Sequence, residues 1–228
     1  MRIVVIGDIH NDVENLIQLL DKVGDLKPDV IVFSGDLIDV GVDLRGFTRV
    51  DIANLVLEEL NVLNVPVLAV PGNQDKSILS LLEERGISLH GVGRDVNGVG
   101  FYGFGGAKTP FGTPLEPEEE ELDAGLRGAY DSIKRKKIKV QVTHAPPHNT
   151  KLDIITSGAH VGSRAVRRII EELSPNAAIC AHIHEARGVD FIGSTKIVNA
   201  GRFPEGYCGV VDIDLRASTT KAEIVNLI

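Results

Sequence analysis

Five short apolar runs in this chain end in the same way. MRIVVI is followed by Gly7-Asp8-Ile9-His10, DVIVFS by Gly35-Asp36, and VPVLAVP by Gly72-Asn73-Gln74-Asp75. KVQV is followed by Thr143-His144, and NAAIC by Ala181-His182-Ile183-His184. Runs of this β-branched, aliphatic kind read as buried strands. In an open parallel sheet the carboxyl ends of the strands share one edge, and ligands bind along it. A sheet built from these runs would therefore gather Asp, Asn and His from distant parts of the sequence. Within the first run Asp8 and His10 are one residue apart, so on a regular strand both would leave on the same side.

The first half supports a parallel sheet. Between the first three runs lie two helical patterns. In Asn11 to Val23 the apolar Leu16, Leu19, Leu20 and Val23 recur at helical spacing, and in Val50 to Leu63 so do Ile52, Leu55, Val56 and Leu60. A βαβαβ series packs helices on a parallel sheet. The second half differs. GVDFIG, TKIVNA, GYCGVVDI and KAEIVNL are separated only by turns, which predicts hairpins and a more antiparallel sheet. An irregular glycine-rich stretch, residues 91–112, lies between the halves, and EPEEEELDAGLRGAYDSIKRKK reads as a helix with its acids first and its bases last. Its KRKK run follows an acidic block and stands alone, so it reads as a solvated helix end rather than a phosphate-binding patch. With no repeat and no low-complexity linker, residues 1–228 read as one domain.

Composition narrows the function classes. Net charge is −8 and aromatics are 4%, with no Trp. That argues against an extended grip on nucleic acid and against serial base stacking. Cys180 and Cys208 both sit in apolar runs and make no disulfide framework, which fits buried thiols in a reducing compartment. The apolar run after Arg2 is too short for a signal-peptide core, and no stretch approaches a membrane span. The expected setting is cytoplasmic, with no membrane partner. A homo-oligomer is compatible with this composition.

Taken singly, each polar strand end is weak evidence: Asp36 and Asn73 could be turn residues and His144 a satisfied core histidine. Taken together, five such ends are hard to attribute to chance. The set holds Asp8, Asp36, Asn73, His10, His144, His182 and His184. Seven ligands are too many for one ion and suit two, with one carboxylate shared. Mixed O/N ligation without thiolate suits Mn, Fe, Zn, Co or Ni.

Read in order as GDIH, GDLID, GNQD, TH and AHIH, these segments resemble the signature of the calcineurin-like metallophosphoesterase superfamily, and the resemblance covers most of the chain. It implies an α/β fold of two packed, mixed parallel and antiparallel β-sheets flanked by helices. It implies two divalent ions, manganese foremost: one held by Asp8, His10, Asp36 and His184, the other by Asp36, Asn73, His144 and His182, with Asp36 as the bridge. It implies hydrolysis of a small phosphate-ester substrate by hydroxide generated at the metals, which also offset charge on the transferring phosphoryl group.

Departures from the family pattern set the finer expectations. The third motif usually carries His after Asn; here it is Gln74, which can donate a hydrogen bond but cannot deliver a proton at neutral pH. Asp75, which would orient that His, loses its usual duty. Branches lacking the His are linked to phosphodiesters, so diesters are expected ahead of monoesters or nucleotides. The Gly usual before His-x-His is Ala181. Outside the signature, His148 reads equally well as a loop residue or a proton donor, His160 precedes a helix start at Gly162-Ser163 whose free N–H groups could hold phosphate, and Asn199, Gly201 and Arg202 could line the cleft. The candidate catalytic set is Asn73, Gln74, Asp75 and His148. A catalytically silent scaffold is the competing reading, favoured only by Gln74. A Rossmann dinucleotide site is set aside because DIHND after Gly7 supplies no second glycine.

Overall fold

The computed structural model describes residues 1–42, 44 and 46–228. Strands β1 (Arg2–Ile6), β2 (Val30–Phe33) and β3 (Val67–Ala69) run parallel, joined by helices α1 (Val13–Asp25) and α2 (Arg49–Asn61). The last two strands, β10 (Tyr207–Asp214) and β11 (Thr219–Asn226), return to this sheet, with β10 antiparallel to β1, giving the order β11-β10-β1-β2-β3.

The second sheet contains β4 (Gly93–Val96), β5 (Val99–Phe104), β6 (Ile138–Thr143), β7 (Ala177–Cys180), β8 (Gly188–Ile192) and β9 (Thr195–Asn199), in the order β4-β5-β6-β7-β9-β8. Helices α4 (Glu119–Ile133) and α5 (Arg164–Leu173) cover its outer face, and the short α3 (Leu79–Glu84) lies beside the first sheet. This is the two-sheet α/β sandwich with mixed strand directions that the sequence implied.

Side-chain alternation sorts β1 between two cores. Ile3 and Val5 face the second sheet, meeting a layer that includes Val140, Val142 and Val198, while Val4 and Ile6 face α1 and α2. With both faces buried, the strand reads as an uninterrupted apolar run instead of an alternating one. The helices start where their caps say. Asp12 accepts from the Asn15 N–H at 3.2 Å, and Thr48 and Asp51 form a reciprocal capping box.

The second half corrects two expectations. β8–β9 and β10–β11 are antiparallel hairpins, but β5, β6, β7 and β9 are mutually parallel, and the chain changes sheets between β9 and β10. The glycine-rich stretch is irregular only in part: residues 105–112 have no strand or helix, but residues 93–104 contain β4 and β5. Some of its glycines, Gly93, Gly103 and Gly105 among them, reflect close packing, whereas Gly98 and Gly112 face open space at positive φ. A Cβ at Gly103 would lie 2.3 Å from the Val142 carbonyl oxygen on the neighbouring strand. Among the described residues, no helix is long and apolar enough to cross a membrane.

Candidate metal centre

The carboxyl ends of β1, β2 and β3 meet those of β6 and β7 at one edge, so the centre is fed by both sheets. The loops after β1 and β2 are zipped together: Asp8 N–H donates to Gly35 O at 2.9 Å and His10 N–H to Asp36 O at 3.0 Å. Ala181 N–H donates to His144 O at 3.0 Å and joins the β6 and β7 ends likewise. Asp8 and His10 are not placed by strand alternation, because β1 ends at Ile6. Both have left-handed turn backbone, φ 53° and 50°, as do Asp36 at 53° and His182 at 74°. Positive φ is uncommon for non-glycine residues, and its concentration among the candidate ligands marks a site held against local preference. Two glycines make room. A Cβ on Gly35, itself at φ 109°, would lie 2.4 Å from His144 Nδ1, and one on Gly72 would lie 2.0 Å from Asp36 Oδ1. Ala181 meets no such demand: it is buried without positive φ.

Two groups of donor atoms result, Asp8, His10 and His184, and Asp36, His144 and His182, each with its atoms within 4.8 Å of one another. In the first, His10 Nε2 is 3.3 Å from His184 Nε2, and Asp8 Oδ1 is 3.5 Å from His184 Nε2. In the second, His144 Nε2 is 3.5 Å from Asp36 Oδ2 and 3.0 Å from Asn73 Oδ1. Asp36 Oδ2 also lies 3.9 Å from His10 Nε2, so this carboxylate reaches both groups. His144 Nδ1–H donates to the Ser34 carbonyl at 2.9 Å, which fixes the tautomer and aims Nε2 at two oxygen acceptors.

The residues fit divalent cations. Asp8 is fully buried, yet among the described residues neither of its carboxylate oxygens has a hydrogen-bond donor. Buried carboxylates are otherwise paired or bonded, so an orphan of this kind calls for a cation. Electrostatics agree. Burial alone would raise the Asp36 pKa, but His144 and His10 beside it hold it below the usual carboxylate range. Burial would likewise lower His144, yet Asp36 lifts it to about 9, whereas burial and the neighbouring His144 push His182 down to about 4.

The remaining sequence candidates divide. Gln74 sits at the edge of the centre: its N–H donates to Asp36 Oδ1 at 2.9 Å and its Oε1 accepts from Val40 N–H at 3.3 Å, and its amide NH2 has no acceptor among the described residues. Asp75 is fully buried and accepts from the N–H groups of Leu37, Ile38 and Gly72 at 2.8 to 3.2 Å, tying the β2 and β3 loops together.

His148 belongs to a neighbouring cluster around the buried Asp153. There Asp153 accepts from His160 Nδ1–H at 2.7 Å and lies 3.5 Å from His148 Nδ1. The amino end of α5, expected to be open to phosphate, is filled by the chain's own carboxylate: Glu119 accepts from Ser163 Oγ at 2.9 Å and from Ala165 N–H at 2.5 Å. Asn199 braces the centre from behind, donating to the Ile183 carbonyl at 2.8 Å and accepting from Gly201 N–H at 2.9 Å. Arg202 lies 4.0 Å from Asp12. Sequence reasoning missed Asp153, Ser34 and Glu119, whose roles arise from contacts across elements and leave no local motif.

Comparison with known proteins follows the same lines. Residues 1–186 match the sequence pattern described as calcineurin-like phosphoesterase. An archaeal relative, the protein MJ1162 of Methanocaldococcus jannaschii, is 36% identical over 217 residues, covering 91% of this chain and 90% of that protein. Among solved structures, TT1561 of Thermus thermophilus superposes with a TM-score of 0.75 at 22% identity, over 100% of this chain and 99% of the other. A dimetal phosphatase from Danio rerio gives a TM-score of 0.63 at 14% identity, over 100% of this chain and 96% of the other. These two share the fold. The chain belongs to the calcineurin-like phosphoesterase family and is a metal-dependent phosphoester hydrolase.

Proposed function

We propose that this phosphoesterase hydrolyses phosphodiesters in preference to monoesters, using two divalent ions held as the family resemblance implies. Asp8, His10, Asp36 and His184 would hold one ion, and Asp36, Asn73, His144 and His182 the other. The observation that carries the reading is the buried, donorless Asp8 carboxylate beside two donor groups that Asp36 joins. Such ions polarise phosphoryl oxygens and make water nucleophilic near neutral pH.

The chain's own residues set the rest. Ser34 O keeps His144 Nε2 free of a proton for ligation once an ion is bound. Gln74 presents an amide donor where the family usually has an imidazole, so it can orient a phosphoryl oxygen but cannot protonate a leaving group. Asp75 keeps the Asp36 and Asn73 loops in register, a positioning duty that does not need a histidine at residue 74. A diester carries one negative charge at neutral pH against nearly two for a monoester, so it asks less of a site short of donors. Manganese is the ion that the family resemblance puts first for activity, while the mixed O/N donor set by itself suits Mn, Fe, Zn, Co or Ni. The two buried free cysteines fit a reducing cytoplasmic setting, and in this reading residues 1–228 work as one domain.

The test compares a p-nitrophenyl phosphodiester with p-nitrophenyl phosphate on Mn2+-loaded protein, with His10→Ala as control. Faster diester cleavage that the variant loses supports the proposal. Faster monoester cleavage would replace it with a phosphomonoesterase, and no cleavage by metal-loaded protein would remove both.

A further inference from the structure

His182 belongs to the Asp36 group and is also one wall of a cavity of about 440 Å3. The other walls come from two loops outside the signature, residues 108–111 and residues 155–161, and from Ile183 and Glu185 beside His182. Pro110, Phe111, Ile155, Val161 and Ile183 make this lining largely apolar. Two of them stand unusually open: Phe111 is 85% exposed and Val161 43%. Isolated exposed apolar residues need no explanation, but these two border one concave surface that is continuous with the metal centre.

The two charges in the lining, Lys108 and Glu185, cancel, and each has a partner of its own. Lys108 pairs with Glu118, and Glu185 accepts from the N–H and hydroxyl of Thr156, each at 3.2 Å. Among the described residues, the cavity thus offers no uncommitted cation to a second phosphate. Its position is fixed before substrate arrives. Leu115 N–H donates to Asn73 O at 2.9 Å, linking the Phe111 loop directly to the metal edge. Glu116 accepts from the Thr109 hydroxyl at 2.5 Å and the Thr113 hydroxyl at 2.6 Å, bracing that loop internally.

We infer that this cavity is a specificity subsite for the uncharged, apolar organic substituent of a phosphoester whose phosphorus lies at the metal centre, and that it disfavours substrates placing a second phosphate there. The inference rests on the function proposed above and names its substrate class: phosphoesters of aryl or bulky alkyl alcohols. A preformed apolar wall stabilises such a group by removing its surface from water, and Phe111 adds an aromatic face.

The test measures binding apart from turnover. Calorimetry on Mn2+-loaded protein should show phenylphosphonate binding about tenfold tighter than methylphosphonate. In the double variant Phe111→Ala, Val161→Ala the ratio should fall to about two, and Phe111→Leu should restore part of it. The same ratio should appear in KM for phenyl p-nitrophenyl phosphate against methyl p-nitrophenyl phosphate. Equal affinities, a ratio that the double variant leaves unmoved, or tighter binding of inorganic pyrophosphate than of phenylphosphonate would each overturn the subsite while leaving hydrolysis standing. If neither phosphonate binds and neither ester is cleaved, the phosphoesterase reading falls and the subsite with it.

Discussion

The two donor groups at the sheet edge are built to different standards. Asp36 and His144, with Asn73 beside them, are buried and braced: His144 by Ser34, Asp36 by the Gln74 N–H, and Asn73 by its contact with His144, while the group's third member, His182, is half-buried and has no such brace among the described residues. In the outer group the side chains of His10 and His184 are 14% and 34% exposed, and among the described residues Asp8 has no hydrogen-bond donor, only the His184 ring at 3.5 Å and the His10 ring at 4.0 Å. One group is organised by hydrogen bonds, whereas the other is organised chiefly by the ion it would receive. The difference teaches that ligand identity alone does not set affinity: two similar donor sets on one edge should differ in how readily they fill and empty.

The sharpest way to break the comparison is to remove the residue the groups share. Asp36→Ala should empty both positions and lower kcat/KM on the order of 10³-fold. Elemental analysis that still finds two ions per chain would show that Asp36 does not join them. Next in size, His184→Ala should cost roughly 10²-fold and leave about one ion, whereas His144→Ala should lose metal from both positions and also destabilise the fold, because it opens a buried space beside Gly35. Equal metal loss in the two variants would erase the asymmetry. Graded chelation sharpens it further: the outer ion should leave first, so activity should fall before the second ion is released.

The pH dependence has a definite sign. In metal-free protein Asp36 lifts His144 to about 9, above its unfolded value near 6.5. The stability this pair contributes is fully present below pH about 6.5 and is lost as pH rises through about 9. Metal loading at about pH 8 should expel the His144 proton, and the release should vanish above pH about 9. Calorimetry in buffers of different ionisation enthalpy measures it, and a pH-independent proton count would contradict the pairing. The smallest effect is behind the centre: Asn199→Ala should weaken metal affinity by roughly tenfold, through the His182–His184 turn it supports.

Much of this was legible in the sequence because strand ends are local. An apolar run, a glycine and a polar residue are adjacent in the chain, and five such ends locate an edge. The two sheets were legible as strands but not as partners. Nothing in TKIVNA tells β9 to lie parallel to β7 while GYCGVVDI crosses to β1, since turn length restricts neighbours in sequence and not in space. β4 and β5 were hidden by glycines that serve close approach. The amino end of α5 looked available because its cap residues are local and Glu119, which fills it, lies 44 residues away from Ser163. Likewise, positive φ at Asp8, His10, Asp36 and His182 has no signature beyond residue type.

Each donor group draws on both sheets: Asp8 and His10 with His184, and Asp36 with His144 and His182. An ion in either position would therefore act as a rivet through the sandwich, joining layers that also meet through aliphatic contacts such as Val5 with the Val140 and Val198 layer. Metal occupancy and inter-sheet packing then become one thermodynamic quantity, so a methyl group removed from that distant layer would be felt as a change in metal affinity, and loading would raise the melting temperature of the whole assembly instead of one edge.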